Sequence, residues 1–253
     1  KLLETLVYIT EYPTPISGGF DPKFLELPAE VLVTVMRHHQ KYFSCVDTAG
    51  KLAPSFVAVM NTSSDPDGLV RQGNERVLRA RFNDARFFYE TDQHKKLAAR
   101  VADLAKVTFQ AKLGSYLEKS KRNAALVAEL GGNAHAQRAA ELAKCDLTTE
   151  MVKEFTDLQG VIGGIYARVQ GEPEPVAQAI YDHYKPLSME DSIPSTPEGK
   201  IVALADKLDT LRGCFKIGLV PTGSKDPFAL RRAAQGVVKI LVEGKLNYSL
   251  SAL

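Results

Sequence analysis

The sequence predicts an α+β protein: a mixed α/β module over residues 1–105, followed by an all-α domain over residues 106–253. Three observations carry this assignment. Residues 41–47 and 52–61 are strand-like runs joined across Asp47-Thr48-Ala49-Gly50, the pattern of a hairpin. Residues 74–89 repeat apolar positions (Val77, Leu78, Phe82, Ala85, Phe88) at helical spacing. From about residue 95 onward the strand pattern stops and helical runs follow, which puts the boundary near residue 105, within about ten residues.

Each element has its own warrant. Residues 2–9 are a short apolar run, helix or strand, closed by Tyr12-Pro13. Residues 28–39 open on Pro28 and read as a short helix. The second hairpin strand is nearly all apolar from Phe56 to Met60, so it belongs at the buried centre of a sheet. Residues 63–68 are a polar loop. Helices are expected over 97–111, 113–130, 134–155, 175–184, 198–215 and 227–243. The glycines of Gly160-Val161-Ile162-Gly163-Gly164 follow a helix and suit close packing or a turn. No internal repeat or low-complexity tract is visible.

Composition narrows the function classes. Apolar residues make up 45% and charged residues 25%, as in ordinary globular proteins. A net charge of +2 supplies no global field for nucleic acid, but the charge is segregated. Residues 71–86 hold five arginines against Glu75 and Asp84, and residues 221–245 hold five cations against Asp226 and Glu243. Residues 141–209 hold thirteen acids and six bases. Such segregation suggests one basic face. Cys45, Cys145 and Cys214 are odd in number and form no CxxC, which argues against a disulfide framework or a zinc module and fits a reducing cytoplasm. No apolar run approaches a membrane span, so no membrane partner is expected. The chain is expected to be a piece of something longer.

The most informative stretch is Pro221-Thr222-Gly223-Ser224-Lys225-Asp226-Pro227-Phe228-Ala229-Leu230-Arg231-Arg232. Pro221 and Gly223 mark a tight loop. Asp226 is a good N-cap and Pro227 a good first helical residue, so a helix is expected to start there. Its free N–H groups, beside Lys225 and one turn before Arg231 and Arg232, would suit a phosphate. The plainer reading is a capped helix with solvated cations. Arg76, Arg79 and Arg81 form a second basic block, but one helix cannot aim all three at one ligand, so at least one is expected to pair with Asp84 or Glu75.

No catalytic centre is assignable. His38, His39, His94, His135 and His183 form no HExxH and no pair with a cysteine. There is no GxxxxGK[ST], no GxGxxG after a strand, and no Ser-His-Asp or Cys-His set. The helical half does resemble the HD superfamily of phosphohydrolases, whose metal is held by a His, a His-Asp pair and a later Asp. Here Lys119 falls in the first position, Cys145 replaces the paired His, and Asp146 and Asp206 stand in the aspartate positions. A lysine repels a metal but can pair with Asp146 or Asp206. The expectation is an HD-like domain with a degenerate site, no bound metal and no catalytic residue.

Longer blocks point further. Met36-Arg37-His38-His39-Gln40-Lys41-Tyr42-Phe43, Gly73-Asn74-Glu75-Arg76-Val77-Leu78-Arg79-Ala80-Arg81, Asp84-Ala85-Arg86-Phe87-Phe88, Asp146-Leu147-Thr148-Thr149-Glu150-Met151-Val152, Ala203-Leu204-Ala205-Asp206-Lys207-Leu208-Asp209 and residues 221–232 resemble the beta subunit of the bacterial two-subunit glycyl-tRNA synthetase, as do Tyr12-Pro13 and Leu158-Gln159-Gly160. The likeness runs from end to end of this chain and covers only the middle of that subunit. It implies a glycine–tRNA ligase of two alpha and two beta subunits, in which the alpha subunit uses ATP and Mg and the beta subunit chiefly binds tRNA(Gly). It also implies an HD-like domain in this region. Phosphate contact through Lys225, Arg231, Arg232, Arg76, Arg79 and Arg81 becomes the favoured reading. Two other classes stay open: a metal-dependent HD-type phosphohydrolase, and a scaffold that only joins subunits.

Overall fold

The computed structural model describes residues 2–248. The chain divides into two compact units: residues up to His94 together with Glu154–Leu158, and Lys95–Lys153 together with Gln159 onward.

In the first unit the elements run α1 (Leu2–Ile9), β1 (Thr14–Gly19), α2 (Ala29–Thr34), β2 (Phe43–Val46), β3 (Leu52–Met60) and α3 (Leu69–Gln93). α2 runs on as a π-helical turn over Val35–His39, inside the range expected from Pro28. The sheet has the order β1-β3-β2, antiparallel throughout. β3 is central, as its apolar run implies, and Phe56, Ala58 and Met60 alternate onto the core face. Its partner β1, Thr-Pro-Ile-Ser-Gly-Gly, carries no strand signal, because proline and paired glycines are poor strand formers. Gly18 is nevertheless required in it: a Cβ there would sit 2.5 Å from the Phe56 ring. Tyr42 stacks on the same Phe56 with ring centroids 4.7 Å apart. α3 covers this sheet with Leu78, Phe82 and Ala85. It begins five residues before the expected 74, because Asp65 accepts hydrogen bonds from the Val70 and Arg71 N–H groups while Gly68 turns at φ +66°.

The second unit contains α4 (Leu97–Arg100), β4 (Thr108–Gln110), β5 (Gly114–Ser115), α5 (Tyr116–Glu129), α6 (Ala134–Leu142), α7 (Glu150–Glu154, its last residue counted with the first unit), α8 (Val161–Val169), α9 (Glu174–Asp182), α10 (Pro197–Lys216) and α11 (Leu230–Glu243). Strands therefore do not cease at 95. The helix expected over 97–111 passes into a 3-10 turn at Val101–Lys106 and then a two-stranded hairpin. Ser115 and Glu118 form a capping box that starts α5 at the end of β5. The helix expected over 134–155 breaks at a 3-10 turn, Cys145–Thr148. The glycine-rich segment after Gly160 is helix α8, laid against α9 so closely that a Cβ on Gly164 would lie 2.5 Å from Tyr181 Cβ.

Candidate functional site

Two groups of the sequence-selected residues sit in the second unit, one buried and one exposed. The buried group gathers where α5, the turn after α6, the end of α9 and α10 converge. Their small residues (Ala139, Ala140, Ala179, Ala203, Ala205) let the backbones approach, and long polar side chains fill the space between. Lys119 Nζ lies 3.1 Å from Asp206 Oδ1 and 3.0 Å from Asp209 Oδ2, and donates to Thr210 Oγ1 at 2.8 Å. Asn123 Nδ2 donates to Asp206 Oδ1 (2.9 Å). The other Asp206 oxygen accepts from Lys144 Nζ at 3.0 Å.

Lys144 Nζ also meets His183 Nε2 at 2.9 Å and lies over the Tyr184 ring. His183 Nδ1 contacts Ile180 O, which puts the proton on Nδ1 and leaves Nε2 to accept from the lysine. Burial, reinforced by Lys144, pushes His183 down to about 3, so the imidazole is neutral near pH 7. Burial raises the Asp206 carboxyl, but the ammonium groups of Lys119 and Lys144 outweigh it and hold its pKa well below the usual range.

The other two expected members stand apart from this network. The Cys145 thiol donates back to Glu141 O (3.8 Å), and burial pushes it up to about 12, an inert thiol. Lys144, one residue earlier, occupies the inward position expected of Cys145, because the turn after α6 aims residue 144 rather than 145 at α10. Asp146 faces the N-terminus of α8: its Oδ2 accepts from the Gly160 N–H, and its Oδ1 has no partner. Burial raises this carboxyl to about 6.

The donor set does not fit a divalent cation. Two ammonium groups occupy both Asp206 oxygens, and among the described residues no group of three His, Cys, Asp or Glu side chains converges as a metal cage. Purified protein should carry no stoichiometric divalent ion and show no nucleotide phosphatase turnover; elemental analysis finding one ion per chain, or genuine turnover, would refute this.

Sequence reasoning missed Lys144, His183 and Asp209. Asp209 was findable, since it lies three residues after Asp206 on one helix and shares its face. His183 carried no local signal; only the fold brings α9 to this place.

The exposed group is the 221–232 stretch. Thr222 and Lys225 close a tight turn through two backbone hydrogen bonds, with Gly223 at φ +52°. Helix α11 starts at Leu230, not at Pro227. Asp226 still caps it, but across a turn: its two carboxylate oxygens accept from the Leu230 and Arg231 N–H groups at 2.8 and 2.9 Å. These bonds hold the Asp226 pKa below its usual value. The helix N-terminus expected to receive an anion is thus partly filled by the protein's own carboxylate. What remains is a set of cations: Lys225, Arg231 and Arg232 are exposed and have no ion-pair partner among the described residues.

In the first unit, Arg76 and Arg79 are exposed on α3. Arg81 turns aside to Glu154 at 3.0 Å and Asp84 at 3.9 Å. Glu75 accepts from the Gly19 N–H (2.9 Å) and so fixes the end of β1.

Comparison with known proteins gives the family. A family described as "Glycyl-tRNA synthetase beta subunit" matches residues 1–253. A protein named glycine–tRNA ligase beta subunit from Acidobacterium capsulatum is 55% identical over 264 aligned residues, covering 100% of this chain and 37% of the relative. Relatives of the same name from Chromohalobacter salexigens and Geobacter sulfurreducens are 49% and 48% identical, covering 100% and 98% of the chain and 37% of each relative. The chain therefore spans little more than a third of the length of these curated relatives. With the match unbroken across both units, the chain belongs to the glycyl-tRNA synthetase beta subunit family.

Proposed function

We propose that this stretch serves a glycine–tRNA ligase as a tRNA-binding and subunit-joining part and is not its catalytic centre. The observation that carries the reading is the trio Lys225, Arg231 and Arg232, pinned by a closed turn and a carboxylate-capped helix start yet exposed and in no ion pair among the described residues. Ordered backbone beneath unpaired cations suits phosphate, which positions RNA without reading sequence. Arg76 and Arg79 supply the contacts of the first unit, and Arg81, engaged by Glu154, is a structural member of that block. The whole enzyme would charge tRNA(Gly) with glycine in the cytoplasm, using ATP and Mg through an alpha subunit. No helix among the described residues is long and apolar enough to cross a membrane.

The helical unit is, on this proposal, an HD-like domain whose metal is replaced by lysine. Lys119 and Lys144 bracketing Asp206 support that reading over a phosphohydrolase.

Lys225→Ala/Arg232→Ala should weaken tRNA binding and leave folding intact. The slope of log K against log salt should fall by about one per lost contact. Filter binding across a salt series, with circular dichroism as the folding control, checks this. Unchanged affinity and slope in a folded double variant would reduce the loop to a capped surface helix.

A further inference from the structure

A second, concave basic feature lies in the helical unit. α5, α10 and the β4–β5 turn enclose a groove of about 430 Å³. Lys112 reaches it from the turn, Arg122 from α5, and Arg212 and Lys216 from the last turns of α10. Two acids, Asp209 and Glu129, share the lining. Four cations against two acids leave +2, and Asp209 is already neutralised, because Lys119 lies 3.0 Å from it and Arg122 grips it at 2.6 and 3.2 Å.

Arg122 is the informative residue. Its Nε and Nη2 donate to Asp209 and its Nη1 to Leu113 O at 3.2 Å, so the guanidinium is fixed before any ligand arrives. Two of its five N–H groups remain unused. The buried Lys119 is what holds Asp209 in turn. The polar core of the unit thus serves to preorganise one arginine at the floor of the groove. Charge complementing a helix C-terminus would explain Lys216, but not Lys112, which comes from a different element and faces the same space. Leu113 and Leu126 give the groove an apolar wall beside the cations. That pairing of a fixed cation floor, a cationic rim and an apolar side matches a phosphate joined to a nucleoside.

We propose that this groove binds the phosphate of a nucleotide, with Arg122 as the fixed contact and Lys112, Arg212 and Lys216 closing over it. None of the groove's lining residues belongs to the 221–232 loop. The occupant is a free nucleotide; an RNA strand carries the same phosphate chemistry, and the test separates the two.

The 253-residue chain is titrated by calorimetry with inorganic pyrophosphate, with a nucleoside triphosphate free of divalent ions, and with a short single-stranded RNA. Saturable one-site binding of both free anions is expected. Binding of the RNA alone overturns the proposal, because the cations of the 221–232 loop already account for it. Arg212→Ala/Lys216→Ala, both exposed, should raise Kd at least about tenfold. Glu129→Gln should lower it, whereas Lys225→Ala/Arg232→Ala should leave the Kd of the free anions unchanged. No saturable binding of either free anion, or equal binding in the Arg212/Lys216 variant, overturns the proposal. Loss only in the Lys225/Arg232 variant also overturns it and leaves the loop reading standing.

Discussion

Asp206→Asn should lower the unfolding free energy of the chain by about 3–5 kcal/mol, the usual effect of breaking a buried ion pair from one side. The geometry says which charge is orphaned. Lys119 keeps Asp209 at 3.0 Å and the Thr210 hydroxyl. Lys144 keeps only a neutral imidazole nitrogen and the face of Tyr184. The loss therefore comes chiefly from Lys144, whose pKa burial already pushes below the ordinary lysine value despite Asp206. Lys144→Met in the Asp206→Asn background should recover more than half of it, because the double variant buries no unpaired charge there. Urea unfolding followed by far-UV circular dichroism measures both. Additive losses in the double variant would show that Lys144 and Asp206 are not coupled and that the network is misread.

That network also shows where sequence reading works and where it stops. The order of a mixed module followed by helices was legible, because β3 carries a continuous apolar run and α3 a strong period-3.6 signal, and both elements form. The β1 strand was not, since its reason for being a strand is the Phe56 ring lying over Gly18, a partner more than thirty residues away. Lys119 beside Asp206 was anticipated from a motif position. The exchange of Cys145 for Lys144 was not, because a one-residue shift at the end of a helix depends on the 3-10 turn at Cys145–Thr148, which no local propensity announces.

The Asp226 cap taught the same lesson. Its residue type correctly marked a helix start. The αL residue Ala229, at φ +53°, was invisible, and it moves the first helical residue to Leu230. The matching arrangement of Asp65, Gly68 and α3 shows that this is a recurrent local solution: a carboxylate, a proline and a left-handed residue ahead of the helix.

Two buried groups of the helical unit should cancel each other's pH dependence, and separating them should tilt stability in opposite directions. His183 titrates at 6.5 when unfolded but at about 3 when folded, so stability falls as pH drops below 6.5, by up to about 1.4 kcal/mol per unit. Asp146 behaves inversely. Its folded pKa of about 6 exceeds the unfolded 3.8, so stability rises as pH drops from 6 towards 3.8. Across that window the unfolded chain holds a proton on His183 and the folded chain holds one on Asp146. The proton difference between these two groups is therefore zero, and together they contribute no slope.

Asp146→Asn keeps an acceptor for the Gly160 N–H and removes the compensation, so its stability relative to the parent should fall by about 1.4 kcal/mol per unit between pH 6 and pH 4. His183→Gln keeps an acceptor for Lys144 and removes the opposite partner, so its relative stability should rise by a similar amount per unit over the same range. Surface carboxylates such as Asp65 and Asp226, whose hydrogen bonds also lower their pKa values, are common to all three proteins and drop out of the differences. Any constant offset from repacking drops out as well, because the slope is what is read. Urea midpoints at half-unit steps from pH 4 to pH 6.5 give the three profiles. Two variants tilting the same way, or neither tilting, would show that His183 and Asp146 do not hold the opposed protonation states this buried site imposes.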